Sequence, residues 1–159
     1  MKFNSALRNF VLVLFSTLLI SACSTAKKAS VDTVDDVYTG TDTVEYLAKG
    51  VPDRVFFATN KSKLTTRYRD TLRKQATWLR KNKDVTVTLE GHADERGTRE
   101  YNLALGERRA NAAKDYLMTY GVSGKRVTVI SYGKEKPVNP ASTPLAWSQN
   151  RRSVTVKTN

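Results

Sequence analysis

The chain has 159 residues, with 27 Lys and Arg against 15 Asp and Glu for a formal net charge of +12, and it carries one cysteine and one histidine. A lone cysteine excludes an internal disulfide, and one cysteine with one histidine excludes a His/Cys zinc cluster. A basic balance of this size asks for an acidic partner, of which nucleic acid is the commonest.

The first residues redirect that search. Lys2 and Arg8 form a basic start, Phe10 to Ile20 is almost wholly apolar, and Ser21 and Ala22 are small, which is the layout of a secretory signal over residues 1–22. The apolar run is short of the ~20 residues that a spanning helix needs. Export argues against nucleic acid, because the polyanions outside the cytoplasm are lipid headgroups and cell-wall polymers. Without Lys2 and Arg8 the net charge falls from +12 to +10, so residues 23–159 remain strongly basic. Ile20-Ser21-Ala22-Cys23 resembles the lipobox of bacterial lipoproteins. The resemblance implies that Cys23 becomes the mature first residue, carrying a diacylglycerol and an N-acyl chain. Ser24 after it implies sorting to the outer membrane. Each buried acyl methylene is worth about 0.8 kcal/mol, so such an anchor holds without a transmembrane helix.

Residues 23–50 therefore read as a lipidated N-terminus and a flexible linker, rich in Ser, Thr, Asp, Lys and Gly without a sustained period. Such a linker has a root-mean-square reach of roughly 30 Å. Residues 51–159 are long enough for one domain with one core. Arg54 to Ala58 is a β-branched and aromatic run, a first strand. Thr65 or Thr66 then caps a helix whose Leu64, Tyr68, Leu72, Ala76 and Leu79 recur at helical spacing. Its other face carries Arg67, Arg69, Arg73, Lys74, Arg80 and Lys81. Val85 to Glu90 alternates as a strand, Asn102 to Tyr120 is a second helix ended by Gly121, and Arg126 to Tyr132 is a third strand. Pro137, Pro140 and Pro144 mark an ordered loop with one helical turn before Asn150, and Arg152 to Lys157 is the last strand. The order β-α-β-α-β-β predicts an α+β two-layer sandwich with both helices on one face of a small mixed sheet.

On a wheel of 100° per residue, Leu105, Ala112, Tyr116 and Tyr120 define the sheet-facing side of the second helix. Arg109 and Asn102 fall inside that apolar stripe. A guanidinium there needs a counter-charge and acceptors, because an unpaired buried charge costs several kcal/mol. Asp94 and Glu95 are the nearest candidates in the chain. Held apart, Asp94 and Arg109 would offer an ammonium site and a carboxylate site, suited to a zwitterion; in contact, they form an internal salt bridge.

Phe57, Gly91-His-Ala-Asp-Glu-Arg-Gly97, Tyr101-Asn-Leu-Ala-Leu-Gly-Glu-Arg-Arg-Ala110, Ser131-Tyr-Gly-Lys-Glu-Lys-Pro137 and Asn150-Arg-Arg152 resemble the OmpA-like peptidoglycan-binding domains over about Val51 to Val156. The resemblance implies that Asp94 takes the ammonium of a stem-peptide diaminopimelate and that Arg109 takes the carboxylate at the same end. Asn102 then buttresses the loop or touches the ligand, and Phe57 walls the cleft. It also implies noncovalent binding with no catalytic residue, cofactor or metal. The implied partners are peptidoglycan, the TolB propeller and outer-membrane lipid, and the implied place is the periplasmic face of the outer membrane, with a role in envelope constriction at division. Two departures stand out: Arg99 replaces a frequent proline, and Ala58 replaces a residue that is often acidic or glycine, so no role is carried to it. Paired carboxylates of a wall-cutting glycosidase would draw on Glu90, Asp94, Glu95 and Glu100, but carboxylates in such a loop more often form caps and turns. The alternative function is an exported basic domain that binds anionic envelope surfaces non-specifically through its first helix.

Overall fold

The computed structural model describes residues 36–159; the signal segment, Cys23 and the first part of the linker lie outside them. Ten short elements follow one another: β1 (Tyr46–Ala48), β2 (Val51–Pro52), β3 (Arg54–Phe56), α1 (Thr66–Lys81), β4 (Val87–His92), α2 (Arg99–Thr119), a 3-10 turn (Gly124–Arg126), β5 (Val127–Gly133), α3 (Pro144–Asn150) and β6 (Arg152–Lys157). The main sheet has the order β3-β6-β4-β5, with β6 antiparallel to both neighbours and β4 parallel to β5. The strand–helix–strand unit from β4 through α2 to β5 gives the expected parallel pair. The unit from β3 through α1 to β4 is split, because β6 inserts between its strands. The fold is α+β, with α1 and α2 against the mixed sheet.

The α1 stripe packs as its spacing predicts: Leu64, Tyr68, Leu72, Ala76 and Leu79 are buried, and the six basic residues on the other side are exposed. Within that stripe Gln75 is a polar intruder that donates to the Pro52 carbonyl at 2.7 Å and accepts from Thr155 Oγ1 at 2.7 Å, so its burial is compensated. The stripe on α2 is rotated from the expected one. Leu105, Gly106, Ala110, Ala113 and Leu117 are buried, whereas Ala112, Tyr116 and Tyr120 are only partly so. The cause is that α2 packs on both the sheet and α1. Tyr116 and Tyr120 stack on one another at 5.1 Å, with Arg73 of α1 lying 5.7 Å from the Tyr120 ring.

Two glycines bring α2 unusually close to β4. A Cβ on Gly91 would lie 1.8 Å from the Gly106 carbonyl oxygen, and one on Gly106 would lie 2.4 Å from Ser131 Oγ. That proximity fixes the start of α2 against the end of β4 and so fixes the connection between them.

Packing begins earlier than the expected boundary at Val51. Tyr38 and Leu47 are buried, and the Tyr38 ring meets Phe56 edge-on at 4.8 Å. Isolated anchors on a three-residue strand leave no period to read, so a segment that looks like linker from 36 to 50 docks on the domain.

Candidate functional site

β4 delivers the loop that carries the site. The Ala93 N–H donates to the Gly133 carbonyl at 2.7 Å, extending the pairing with β5 beyond the last strand residue. Asp94 then turns the chain by accepting the Arg96 N–H at 3.2 Å, and Gly97 completes the turn at φ +90°. Thr98 caps α2 by accepting the Tyr101 N–H at 3.2 Å. The Asn102 side-chain amide donates to the Arg96 carbonyl at 2.9 Å, and Lys134 donates to the Gly97 carbonyl at 2.7 Å. Glu95 is held on the other side by Trp147 Nε1 at 2.8 Å and Ser142 Oγ at 3.0 Å. These contacts leave the loop little freedom at its ends, while the Arg96 side chain stays exposed.

Arg109 lies beneath that loop and is fully buried. Its Nε donates to the Lys61 carbonyl at 2.9 Å, Nη1 to the His92 carbonyl at 2.8 Å and Nη2 to the Ala58 carbonyl at 3.1 Å. The guanidinium stands 5.4 Å from the centre of the buried Phe57 ring. Burial, with repulsion from Arg151, lowers its pKa, an effect that the Asp94 charge partly offsets. Arg109 thus ties the ends of β3 and β4 together through carbonyl dipoles. Its charge is solvated by the backbone in place of water.

Asp94 makes its ion pairs elsewhere. Arg96 Nη2 lies 2.8 Å from its Oδ2 and Arg96 Nε 3.0 Å from its Oδ1, a bidentate pair, and Arg151 Nη1 approaches Oδ2 at 3.5 Å. Burial pushes the Asp94 carboxyl up, but the Arg96 hydrogen bonds and the charges of Arg96 and Arg151 outweigh it and hold the group below the usual carboxylate range. Asp94 is therefore ionised at neutral pH. The Arg96 guanidinium in turn stacks 4.4 Å from the Trp147 ring.

The structure brings Asp94, Asn102, Arg109 and Phe57 into one region, but as two layers. Asp94 pairs with Arg96 and Arg151, which line a surface depression of about 340 Å³ together with Asp36, Thr59 and Trp147 among others. Arg109 and Phe57 are buried and do not line that depression; the Phe57 carbonyl accepts from Arg151 Nε at 3.0 Å. Asp94 and Arg109 make no direct salt bridge, so neither a simple staple nor an open two-pole cleft describes the arrangement found.

Sequence reasoning did not single out Arg96 and Asp36, and it carried Arg151 only within the Asn150-Arg-Arg152 motif. Arg96 was legible as the second residue after a turn-forming aspartate. Asp36 had no local signal, because its partners lie 23 and 115 positions away.

A second polar cluster lies on the other face of the sheet. Alternation along β4 turns Val87 and Leu89 toward the helices and Glu90 and His92 away from them. His92 is buried and neither of its ring nitrogens has a hydrogen-bond partner, while buried Arg152 lacks one at Nε. Among the described residues no group of three or more His, Cys, Asp and Glu side chains is placed to hold a metal ion. Nor is any described helix long and apolar enough to cross a membrane.

Comparison with known proteins accords with this geometry. The OmpA family model matches residues 56–151. A peptidoglycan-associated lipoprotein of Rhizobium meliloti is 57% identical over 106 residues, which cover 67% of this chain and 60% of that protein. This chain aligns with less than two thirds of that relative's length. One from Mesorhizobium japonicum is 42% identical over 153 residues, 93% of this chain and 91% of that one. Among solved structures, the peptidoglycan-associated lipoprotein of Burkholderia pseudomallei superposes with a TM-score of 0.65 at 36% identity, covering 67% of this chain and 90% of that chain. The matched segment runs from the end of β3 to Arg151, so it contains Phe57, the Asp94 loop, Arg109 and the carbonyls that hold it: the chain belongs to the OmpA family.

Proposed function

We propose that the chain is an outer-membrane lipoprotein that binds peptidoglycan noncovalently through diaminopimelate and tethers the outer membrane to the wall. In this reading it acts as a peptidoglycan-associated lipoprotein of the Tol-Pal system, with TolB as the protein partner and envelope integrity at division as the process served. The observation that carries the reading is Asp94, an ionised carboxylate paired with two arginines that line a surface depression, on a loop pinned by Asn102 and Thr98. In this reading Asp94 takes the ligand ammonium when the exposed Arg96 side chain swings out. Arg109 supplies positive potential at the carboxylate end and contacts the ligand when the loop opens, and Phe57 supports both. In this reading the module binds the wall and does not cut it.

Asp94→Asn is expected to lower binding to purified sacculi at least about tenfold, the scale of a lost charge-assisted pair of roughly 1.4 kcal/mol or more. Free diaminopimelate should compete for the wild-type chain, and the binding should change little between low and moderate salt. Retained binding by Asp94→Asn would remove the cleft from the account.

The exposed basic face of α1 favours the second reading, non-specific adhesion to anionic envelope surfaces. Adhesion of that kind falls steeply with salt and ignores Asp94. For the membrane end, Cys23 with its acyl chains is the proposed anchor, with the domain in the periplasm. Mass spectrometry of the mature amino terminus should find residue 23 first and triacylated; an uncut signal or an unmodified thiol would abolish the anchor.

A further inference from the structure

Asp36 and Arg96 both line the depression, and each pairs with a more deeply buried group, Arg151 and Asp94 respectively. The Asp36 carboxylate accepts the Thr59 N–H at 2.7 Å through Oδ2, and the same oxygen lies 3.4 Å from Arg151 Nη2. That nitrogen also donates to the Asp36 backbone carbonyl. Arg151 is buried, with Nε on the Phe57 carbonyl at 3.0 Å and Nη1 toward Asp94 at 3.5 Å, so its orientation is set from within. A fixed guanidinium edge beside a free backbone N–H is a cradle for a carboxylate, and a carboxylate is what it holds. Across the depression, Arg96 fills Asp94 with a guanidinium. An internal anion and an internal cation thus occupy adjacent poles that share Arg151 and Asp94.

We propose that Arg151 and the Thr59 N–H form the carboxylate subsite of the cleft and that Asp36, from the segment leading in from the N-terminus, occupies it as an internal ligand that an incoming carboxylate must displace. The displacement step rests on the wall-binding reading above; the subsite and its occupation by Asp36 do not. Both internal occupants are suited to leaving. The Asp36 and Arg96 side chains are 44% and 43% exposed, whereas Arg151 and Asp94, which they cover, are 3% and 9% exposed. Tyr38, buried two residues on from Asp36, keeps the segment docked when the carboxylate lets go. A tethered carboxylate competes at the high effective concentration of a short linker, so it reduces the apparent affinity for any external one. Arg151 then acts as a specificity-determining residue, and the segment between the anchor and the domain takes part in ligand access.

The test uses the full chain in detergent micelles, ¹⁵N-labelled, as wild type and as Asp36→Asn, which removes the charge at an exposed position and keeps the shape. Two probes are titrated, acetate and diaminopimelate, with the Thr59 amide resonance as readout and sacculus binding measured alongside. The expected result is that Asp36→Asn shifts the Thr59 amide, makes it respond to acetate where wild type does not, and binds diaminopimelate about 3- to 10-fold more tightly. A Thr59 amide indifferent to both the substitution and acetate overturns the subsite, and equal diaminopimelate affinity in the two chains overturns the competition. If the amide responds as expected but neither chain binds sacculi, the subsite stands and the wall-binding reading falls. If both chains bind sacculi equally and the amide is silent, wall binding stands and this proposal falls.

Discussion

Arg109→Ala is expected to lower the unfolding free energy by about 3–5 kcal/mol, the scale of leaving several buried carbonyls short of a donor. Three carbonyls, those of Ala58, Lys61 and His92, would lose the guanidinium together, Ala58 keeping the Lys61 N–H, and the face of Phe57 would lose the cation packed on it. Each orphaned buried acceptor costs on the order of 1–3 kcal/mol when no water reaches it. Relaxation around the vacated side chain lowers that total. Measured against roughly 5–15 kcal/mol for a whole domain, the loss leaves a marginal fold. Arg109→Lys should recover part of it, because an ammonium keeps the charge and reaches one or two of the carbonyls, but it cannot span three with a rigid fork. Urea denaturation followed by circular dichroism reads both variants, and a loss below about 1 kcal/mol for alanine would show that the carbonyls find other donors. The expected size also sets the meaning of any binding assay. Failure of Arg109→Ala to bind the wall reports unfolding and loss of contact together, whereas Asp94→Asn keeps the size of the side chain and leaves the Arg109 network intact.

How far the sequence foretold this site follows from the range of the contacts involved. The wheel on α2 correctly placed Asn102 and Arg109 on the buried side, because helical periodicity is a local property. It could not supply their partners. Arg109 is satisfied by carbonyls 17, 48 and 51 positions away, and carbonyl groups are present at every residue and so leave no trace in the amino-acid code. A counter-charge was the natural expectation, yet the backbone took its place, and Asp94 was left to pair with Arg96 two residues on. The four strands of the main sheet and the two long helices were legible for the same local reason, whereas the short β1 and β2 were not. The insertion of β6 between β3 and β4 was not, since it depends on which edges are free once α1 and α2 have packed. Tyr38 and Leu47 were invisible as core residues because single anchors make no pattern.

On the opposite face of the sheet, His92 gives the domain a predicted acid sensitivity with an unusual window. Burial, with repulsion from Arg152, Lys136 and Arg54, pushes the imidazole pKa down to about 3, against about 6.5 for an unhindered histidine. The folded state therefore holds the ring neutral where the unfolded state would protonate it. Stability from this group is fully present above pH ~6.5 and is lost as pH falls toward 3, at up to about 1.4 kcal/mol per pH unit. The carboxylates with depressed folded pKa values, Asp36, Asp94 and Glu95, lose their contributions only below the ordinary carboxylate range, under pH ~4.5, and the arginines and tyrosine with lowered values titrate far above the interval. His92 is the only histidine in the chain, so no other side chain of ordinary pKa titrates between pH 6.5 and 4.5. Across those two pH units the wild-type chain should lose about 2–3 kcal/mol of unfolding free energy. His92→Gln fills the position with a group that takes no proton, and its stability should be nearly flat over the same interval whatever its absolute value. Unfolding free energies from urea titrations at pH 7.0, 5.5 and 4.5 separate the outcomes, because parallel profiles for the two chains would mean that the folded imidazole takes up a proton as readily as the unfolded one. The partner for that proton is already in place, since Glu90 Oε2 stands 3.7 Å from His92 Nε2. The prediction therefore sets one carboxylate at a long distance against burial and three cations, and the charges that face the ring decide it.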